Sequence, residues 1–298
     1  MSNKPNNKQN TQNVRRKGKK NKKGKDAKGG KKKESNAFVW AVVALVVVAV
    51  GAMFIMSGSS PKKKAASSSE KLSASEMAQF DVPATVLDKA GAGAGGVPEK
   101  LPADTPLLVS DGKPEVVYIG AEFCPYCAGE RWPLVQALTR FGTFTDLAKS
   151  ASGPAPESYP NTPTVTFYGS TYKSDYLVFS PVETATSDGA PLQQLSGPQQ
   201  KLLDTFGSNG AIPFLDIGGL YVKNGASVSP ELLASQGMTT VTQVLNTLSD
   251  PTSQVGLSIN GSANVIAAAI CEATGGEPAD VCGTDAVKTG AASLKTGA

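Results

Sequence analysis

Two cysteines lie three positions apart in the segment GAEFCPYCAGERWP, residues 120–133, and their type and spacing suggest chemistry directly. Cys124 and Cys127 could form a dithiol that exchanges with other thiols and disulfides, half of a metal site, or a small structural disulfide. A disulfide that closes so short a loop would stabilise the fold poorly. A reactive dithiol is therefore the favoured interpretation.

The elements on either side of the two cysteines decide what they can do. The apolar run Val116 to Ile119 predicts a strand over Glu115 to Ile119. The spacing of apolar residues from Pro125 to Arg140 predicts an amphipathic helix directly after it. Unpaired amides and the positive end of the dipole at a helix N-terminus stabilise a thiolate. We therefore expect Cys124 to be the nucleophile, and Cys127, one turn later, to be the resolving cysteine that attacks the mixed disulfide.

The other two cysteines, Cys271 and Cys282, lie at and beyond the end of the last helical pattern, with ten residues between them. Zinc ribbons usually pair two short CxxC motifs, and the chain has no histidine, so neither a four-cysteine zinc site nor a His-dependent catalytic site is expected. In an oxidising compartment the pair is predicted to form a structural disulfide, with a second redox pair as the alternative. No metal and no cofactor are expected.

The first 56 residues predict a membrane anchor. Residues 1–36 contain fourteen of the 29 Lys and Arg but only two acids, so we expect a disordered basic tail. Ala37 to Met56 are twenty residues without a charge, enough for a transmembrane helix. A cleaved signal peptide is the alternative, although its apolar core usually has about 7 to 15 residues. The positive charge before the helix predicts a cytoplasmic N-terminus and an extracytoplasmic C-terminal domain in the cell membrane.

A linker rich in Ser, Lys and Ala, residues 57–75, is expected to tether a folded part that begins near Glu76 and ends at Cys282. Strand-like and helix-like patterns alternate in that part, which predicts an α/β domain. The strand-like segments are TVTFYG, YLVFSPV and two within IPFLDIGGLYV, and the helix-like segments are PLQQLSGPQQKLLDTF, Thr239 to Leu248 and Asn260 to Ala273. Residues 283–298 are predicted to be a disordered tail.

Two motifs resemble those of the thioredoxin superfamily. AEFCPYC is similar to its active site, and the dipeptide Pro125–Tyr126 is the one that glutaredoxins carry. AIPFLDIGGLYVKNG resembles its cis-proline loop, with Ile212 and Pro213 at the cis position. The resemblance implies a thioredoxin-like fold in which this loop lies beside the dithiol and pairs with a substrate chain. Pro125, Tyr126, Ile212 and Pro213 are therefore expected to contact substrate.

The chain also departs from that superfamily. The interval of 89 residues from Cys124 to Pro213 exceeds that of a minimal thioredoxin, which implies an insertion between the CxxC helix and the cis-proline loop, as in the DsbA-like branch. Residues 141–191 are expected to contribute most of it. Tyr118 stands where thioredoxins carry a buried acid, and Glu122 is too close to the dithiol to replace that acid. The anchored layout is also similar to an uncharacterised prokaryotic family of membrane-anchored thioredoxin-like proteins, catalogued as a domain of unknown function.

The resemblance implies a membrane-anchored thiol–disulfide oxidoreductase that acts through the CPYC dithiol on thiols or disulfides of exported proteins. A quinone-linked membrane oxidase or reductase would be the expected redox partner, since one membrane helix is too few to hold a quinone site. The alternative is a non-catalytic adaptor that binds exported or membrane proteins on the same scaffold. Nucleic acid is not an expected partner, because no aromatic residue precedes Phe38 to stack on a base.

Overall fold

The computed structural model describes residues 69–296. The basic tail predicted for residues 1–36, the transmembrane helix predicted for residues 37–56 and most of the linker predicted for residues 57–75 lie outside the described residues. Within residues 69–296, one helix, Gln254–Ala273, is long and apolar enough to cross a membrane, and it is mostly buried inside the domain. That helix belongs to the protein core.

The described part of the chain is a mixed α/β domain. Its strands are β1 (Glu99–Lys100), β2 (Val109–Ser110), β3 (Lys113–Gly120), β4 (Thr143–Thr145), β5 (Ala148–Ala151), β6 (Pro163–Thr166), β7 (Thr171–Lys173), β8 (Val178–Glu183), β9 (Phe214–Ile217) and β10 (Tyr221–Asn224). Its helices are α1 (Ala74–Met77), α2 (Ala84–Ala90), α3 (Pro125–Leu138), α4 (Gly197–Phe206), α5 (Pro230–Ser235), α6 (Val241–Leu245), α7 (Gln254–Ala273), α8 (Ala279–Cys282) and α9 (Asp285–Thr296), with a short 3-10 helix, Ala78–Phe80, after α1.

The central sheet is built around β3, which lies between β8 and β9. β3 pairs in parallel with β8 and antiparallel with β9, and β9 pairs antiparallel with β10. β1 extends the sheet beyond β10, and β2 pairs with the first residues of β3. Residues Val116 to Gly120 are all buried. The strand that leads into the two cysteines is therefore held on both sides.

Helices cover both faces of this sheet. α3 and α7 pack against each other on one face, where Tyr118 of β3 and Leu215 of β9 belong to the main core. α4 covers the other face, where Val117 and Ile119 of β3 form a second apolar cluster with Leu203. Successive side chains of a strand point to opposite faces, so one apolar run in β3 serves both layers. Each fully buried aliphatic side chain contributes about 1.5 to 3 kcal/mol to this packing.

The predicted insertion lies between α3 and β8. It forms two small antiparallel pairs, β4 with β7 and β5 with β6. β6 packs on α3, because Trp132 Nε1 donates a hydrogen bond to the Pro163 carbonyl at 3.0 Å and Thr164 Oγ1 donates to the Ala128 carbonyl at 2.9 Å. The segment 141–191 expected to hold the insertion also contains β8, which is a strand of the central sheet. Only the part of this segment before Val178 lies outside the central sheet.

The ordered domain begins earlier than predicted. Leu72 N–H donates to the Leu147 carbonyl at 2.8 Å, and Lys149 N–H donates to the Glu70 carbonyl at 2.7 Å. Lys71 thereby forms an antiparallel bridge with Ala148 at the start of β5. The prediction of a flexible linker as far as residue 75 is therefore wrong for these residues, because their backbone groups pair with the insertion.

The prediction of a disordered tail over residues 283–298 is also wrong, because residues 285–296 form α9. Ala286, Val287 and Leu294 of α9 are buried, and the helix packs along α7. Asp285 lies in its first turn and Lys295 in its last, which suits the helix dipole. The apolar residues of α9 are too few to stand out in a Gly- and Ala-rich sequence. They are enough to order the helix, because α7 offers small side chains against which α9 packs closely.

A disulfide joins Cys271, in the last turn of α7, to Cys282, at the end of α8. Replacing both cysteines with Ala should lower the free energy of unfolding by about 3 kcal/mol, because a cross-link over a sequence separation of 11 residues restricts the unfolded chain. The midpoint of urea denaturation measures this loss. Wild-type protein in reductant should unfold at the same midpoint as the variant, and equal midpoints for the variant and the oxidised wild type would contradict a stabilising role.

Candidate active site

Cys124 is the N-cap residue of α3, and the backbone explains why the helix begins there. β3 ends at Gly120, and Pro125 occupies the first turn of the helix, where its missing N–H and fixed φ are favourable. The Cys127 N–H donates a hydrogen bond to Cys124 Sγ at 3.3 Å. The sulfur therefore takes the position that a Ser or Asp oxygen occupies at other helix N-termini. Both cysteines are free thiols.

The two sulfurs differ in access and acidity. Cys124 keeps 7% of its surface exposed and Cys127 keeps none, so a second sulfur approaching from outside reaches only Cys124. The hydrogen bond from the Cys127 thiol, with help from backbone amides and the charge of Arg131, outweighs burial and lowers the pKa of Cys124 to about 7. Burial and the neighbouring Cys124 sulfur raise the pKa of Cys127 well above its ordinary value. Cys124 is thus the more accessible and more acidic of the two thiols.

The proline loop lies directly against Cys124. The peptide bond between Ile212 and Pro213 is cis, the geometry predicted from the proline motif. The Ile212 carbonyl lies 3.9 Å from Cys124 Sγ. Gly225 N–H donates to the Pro213 carbonyl at 2.9 Å, which ties this loop to the end of β10. Cys124, Ile212 and Pro213, which are separated by almost ninety residues in sequence, are thus brought together.

The two residues between the cysteines are placed differently. Pro125 is buried, whereas Tyr126 is 46% exposed beside the dithiol. The ring of Tyr126 meets the ring of Tyr159, from the insertion, edge to face with centroids 6.4 Å apart. Tyr159 also lines an open groove of about 500 Å³, whose apolar wall includes Leu233 and Met238. Aromatic and apolar surface therefore continues from the dithiol toward α5.

Beneath the dithiol lies a buried ion pair that sequence reasoning missed. Arg131 of α3 and Glu183 of β8 both have fully buried side chains and form two hydrogen bonds, at 2.8 and 2.6 Å. Burial opposes both charges, but the Glu183 carboxylate holds the pKa of Arg131 above its ordinary value. A signal was present, since Arg131 lies four residues after Cys127 and therefore on the same helical face.

Tyr118 and Glu122 complete the floor of the site. The Tyr118 hydroxyl is buried without a hydrogen-bond partner among the described residues, and its ring lies 5.9 Å from the Arg131 guanidinium carbon. Burial raises the pKa of Tyr118 well above its ordinary value, so the group is neutral at physiological pH. Glu122 accepts a hydrogen bond from Thr166 Oγ1 at 2.6 Å. Tyr118 thus places a neutral hydroxyl at the position where the resemblance expects an acid.

The part of the chain that the structure describes contains no group of three or more His, Cys, Asp or Glu that could hold a metal ion. Cys271 and Cys282 are bonded to each other, so they do not join the CxxC in a four-cysteine site.

The fold and this site define an α/β protein with a free dithiol at the head of a helix and a cis-proline loop against it. The chain belongs to the family described as a domain of unknown function (DUF929), whose model matches residues 104–208 and 205–272, together more than half of the chain. These ranges include Cys124, Cys127 and Pro213. No curated protein and no solved structure matches the chain.

Proposed function

We propose that this protein is a thiol–disulfide oxidoreductase with a thioredoxin-like fold, acting on the thiols or disulfides of exported polypeptides. The observation that carries the proposal is the position of the Cys124 sulfur. This sulfur caps the N-terminus of a helix, its pKa is lowered, and it lies 3.9 Å from the carbonyl of the residue before a cis-proline. An acidic, reachable thiol above a buried, less acidic one is what exchange through a mixed disulfide requires.

The connectivity of the domain supports the thioredoxin-like assignment. The order β3, α3, β8, α4, β9, β10, α7 gives a sheet in the spatial order β8, β3, β9, β10. Its first two strands in the chain are parallel, and the last two are antiparallel to their neighbours. The dithiol helix and the last core helix share one face, and α4 occupies the other. This is the arrangement that the thioredoxin resemblance implies, interrupted by the insertion from β4 to β7.

The reaction follows from the two thiol environments. The Cys124 thiolate attacks one sulfur of a substrate disulfide, so a bond between Cys124 and the substrate forms, the substrate S–S bond breaks, and the leaving thiolate takes up a proton. Cys127 then loses its proton and attacks Cys124 Sγ, which releases the second substrate thiol and leaves a Cys124–Cys127 disulfide. Two electrons and two protons pass to the substrate, and the reverse sequence oxidises a substrate dithiol.

The surroundings of the dithiol suit a polypeptide substrate. The backbone of Ile212 lies beside Cys124 and presents its carbonyl there, so an extended chain can pair with it as an added strand. Tyr126 and Tyr159 provide exposed aromatic surface next to the sulfur. We assign the reaction to exported proteins because of the uncharged segment Ala37 to Met56 and the charge asymmetry around it. A quinone-linked membrane oxidase or reductase, or a small-molecule thiol, would return the dithiol to its starting state.

The full-length chain should catalyse disulfide exchange in a synthetic peptide in the presence of dithiothreitol. The rate should rise with pH through a midpoint near the Cys124 pKa of about 7, because only the thiolate attacks and its population increases as pH rises through that value. An ordinary thiol would give a midpoint near pH 8.5, so the displacement is measurable (about 1.5 units). A Cys124→Ala variant should show only the uncatalysed rate, and equal rates for this variant and the wild type would leave the adaptor as the better proposal.

A further inference from the structure

The Arg131–Glu183 pair has the geometry of a fixed contact. Arg131 Nε donates to Glu183 Oε1 at 2.8 Å and Nη2 donates to Oε2 at 2.6 Å, so the planar guanidinium meets the carboxylate in two parallel hydrogen bonds. Both side chains are completely buried. Breaking a buried pair by removing one partner typically costs about 3 to 5 kcal/mol, whereas replacing both partners with apolar residues is often neutral. Stability alone therefore does not explain why a charge pair occupies this position.

One carbonyl connects the pair to the nucleophile. Arg131 Nη2 also donates to the Ala121 carbonyl at 2.8 Å. The same carbonyl accepts a hydrogen bond from the Cys124 N–H at 3.2 Å. Glu183 lies opposite Gly120 in the pairing of β3 with β8, directly before the turn that carries Cys124. The ion pair therefore fixes the end of β3, the turn and the first residues of α3 relative to one another.

The charge of Arg131 also acts on both sulfurs. Cys127 lies one helical turn before Arg131, on the same face of α3. A nearby positive charge in a buried region favours a thiolate over a thiol. The charge of Arg131 acts in this direction on both cysteines and by itself lowers the pKa of each. The other titratable groups that face this region are Tyr118 and Glu122, and Tyr118 is neutral. Arg131 is thus the cation that bears on the dithiol.

We propose that Arg131 and Glu183 are positioning residues that set the dithiol–disulfide equilibrium, with the Arg131 charge favouring the reduced, thiolate-containing form. A couple whose reduced form is stabilised accepts electrons more readily, so the pair inclines the protein to oxidise the dithiols of exported polypeptides. This inference rests on the proposed function and adds a direction to it. In each turnover a substrate dithiol would lose two electrons and two protons to the Cys124–Cys127 disulfide, and an external disulfide or quinone would reoxidise the dithiol.

The test compares Arg131→Met with Glu183→Gln in the full-length chain. Arg131→Met removes the cation and should raise the Cys124 pKa by about one unit, measured by the pH dependence of alkylation. Glu183→Gln leaves the cation uncompensated and should lower it. Equilibration with glutathione follows the balanced reaction of the dithiol with glutathione disulfide to give protein disulfide and two glutathione thiols. Arg131→Met should shift the equilibrium constant toward protein disulfide by about tenfold, which lowers the reduction potential by about 30 mV. Glu183→Gln should shift the equilibrium the other way.

Opposite shifts separate an electrostatic role from a merely structural one, because both substitutions break the same buried pair and would loosen the fold in the same way. Arg131→Lys keeps the charge and should stay closer to the wild type than Arg131→Met. Arg140→Met is the matched control, since Arg140 follows the end of α3 and donates to Asn264 Oδ1 at 2.8 Å, away from the dithiol. It should leave both the Cys124 pKa and the glutathione equilibrium unchanged.

Shifts in the same direction for the two variants, or no shift in either, would overturn the inference. If the single variants do not fold, the double variant Arg131→Met with Glu183→Met removes both charges at similar volume. It should still raise the Cys124 pKa, because the arginine charge is the one that lowers the pKa of both sulfurs. An unchanged pKa in that variant would also overturn it. Neither measurement needs a polypeptide substrate, so the inference can fail while peptide exchange persists, and peptide exchange can fail while the opposite shifts are seen.

Discussion

Replacing Cys127 with Ala should convert brief exchange into stable mixed disulfides between Cys124 and exported polypeptides. The attacking sulfur remains at the head of α3, but the buried thiol that would break the mixed disulfide is missing. The substitution also removes the hydrogen bond that contributes most to the low pKa of Cys124, so the thiolate population at neutral pH falls. We therefore expect the adducts to form faster at about pH 8.5 than at neutral pH. Electrophoresis without and with reductant measures them.

Two variants serve as controls for the trap. Cys124→Ala and the double variant lacking Cys124 and Cys127 should give no adducts, because Cys127 is completely buried and does not meet an approaching disulfide. A further variant tests whether the second cysteine pair takes part, by combining Cys127→Ala with the loss of Cys271 and Cys282. It should form the same adducts as Cys127→Ala alone. If the Cys127 variant yields no adducts in cells while the double variant keeps full biological activity, the protein acts as an adaptor.

The parts of the site that are predictable from sequence depend on local spacing. An apolar strand, a CxxC and a helix pattern are contiguous, so the position of Cys124 at a helix N-terminus follows from short-range rules. The second landmark is also local, since a proline followed by a strand, two glycines and another strand predicts a loop and a hairpin. In the structure the two motifs meet, with Cys124 Sγ close to the Ile212 carbonyl. That contact is expected from the thioredoxin resemblance and not from any pattern in the chain.

The ion pair and the chain ends were missed for different physical reasons. Arg131 and Glu183 belong to different elements and pair across 52 positions, and the spacing of charges along the chain does not reveal which partner an arginine has. The helix α9 has few large apolar residues and owes its order to packing against α7, which no local pattern reports. The segment PLQQLSGPQQKLLDTF has a helix-like pattern, but Ser196 caps the helix, and α4 contains only the residues after it, Gly197–Phe206.

Replacing Gly129 with Ala should destabilise the protein by about 3 kcal/mol and slow disulfide exchange. Alanine is normally the better residue inside a helix by about 1 kcal/mol, so propensity alone predicts the opposite sign. The contact decides, because a Cβ at Gly129 would lie 2.1 Å from the Val228 carbonyl oxygen, which belongs to the backbone and does not rotate away. α3 would have to move from the loop after β10, and Ser227 N–H, which donates to Glu130, would move with it.

That movement reaches the active site, which is why exchange should slow by more than the loss of stability explains. The loop after β10 includes Gly225, whose N–H holds the Pro213 carbonyl at 2.9 Å, so a shift of α3 away from this loop separates Cys124 from the cis-proline. Gly197→Ala is the matched control, since nothing lies within 4 Å of an added Cβ at the first residue of α4. Its free energy of unfolding should stay within about 0.5 kcal/mol of the wild type. Peptide exchange is measured well below the denaturation midpoint, where Gly129→Ala should be slow although the chain is folded. A Gly129→Ala protein as stable and as active as the wild type would show that α3 and the loop after β10 do not make the contact that links the dithiol helix to Pro213.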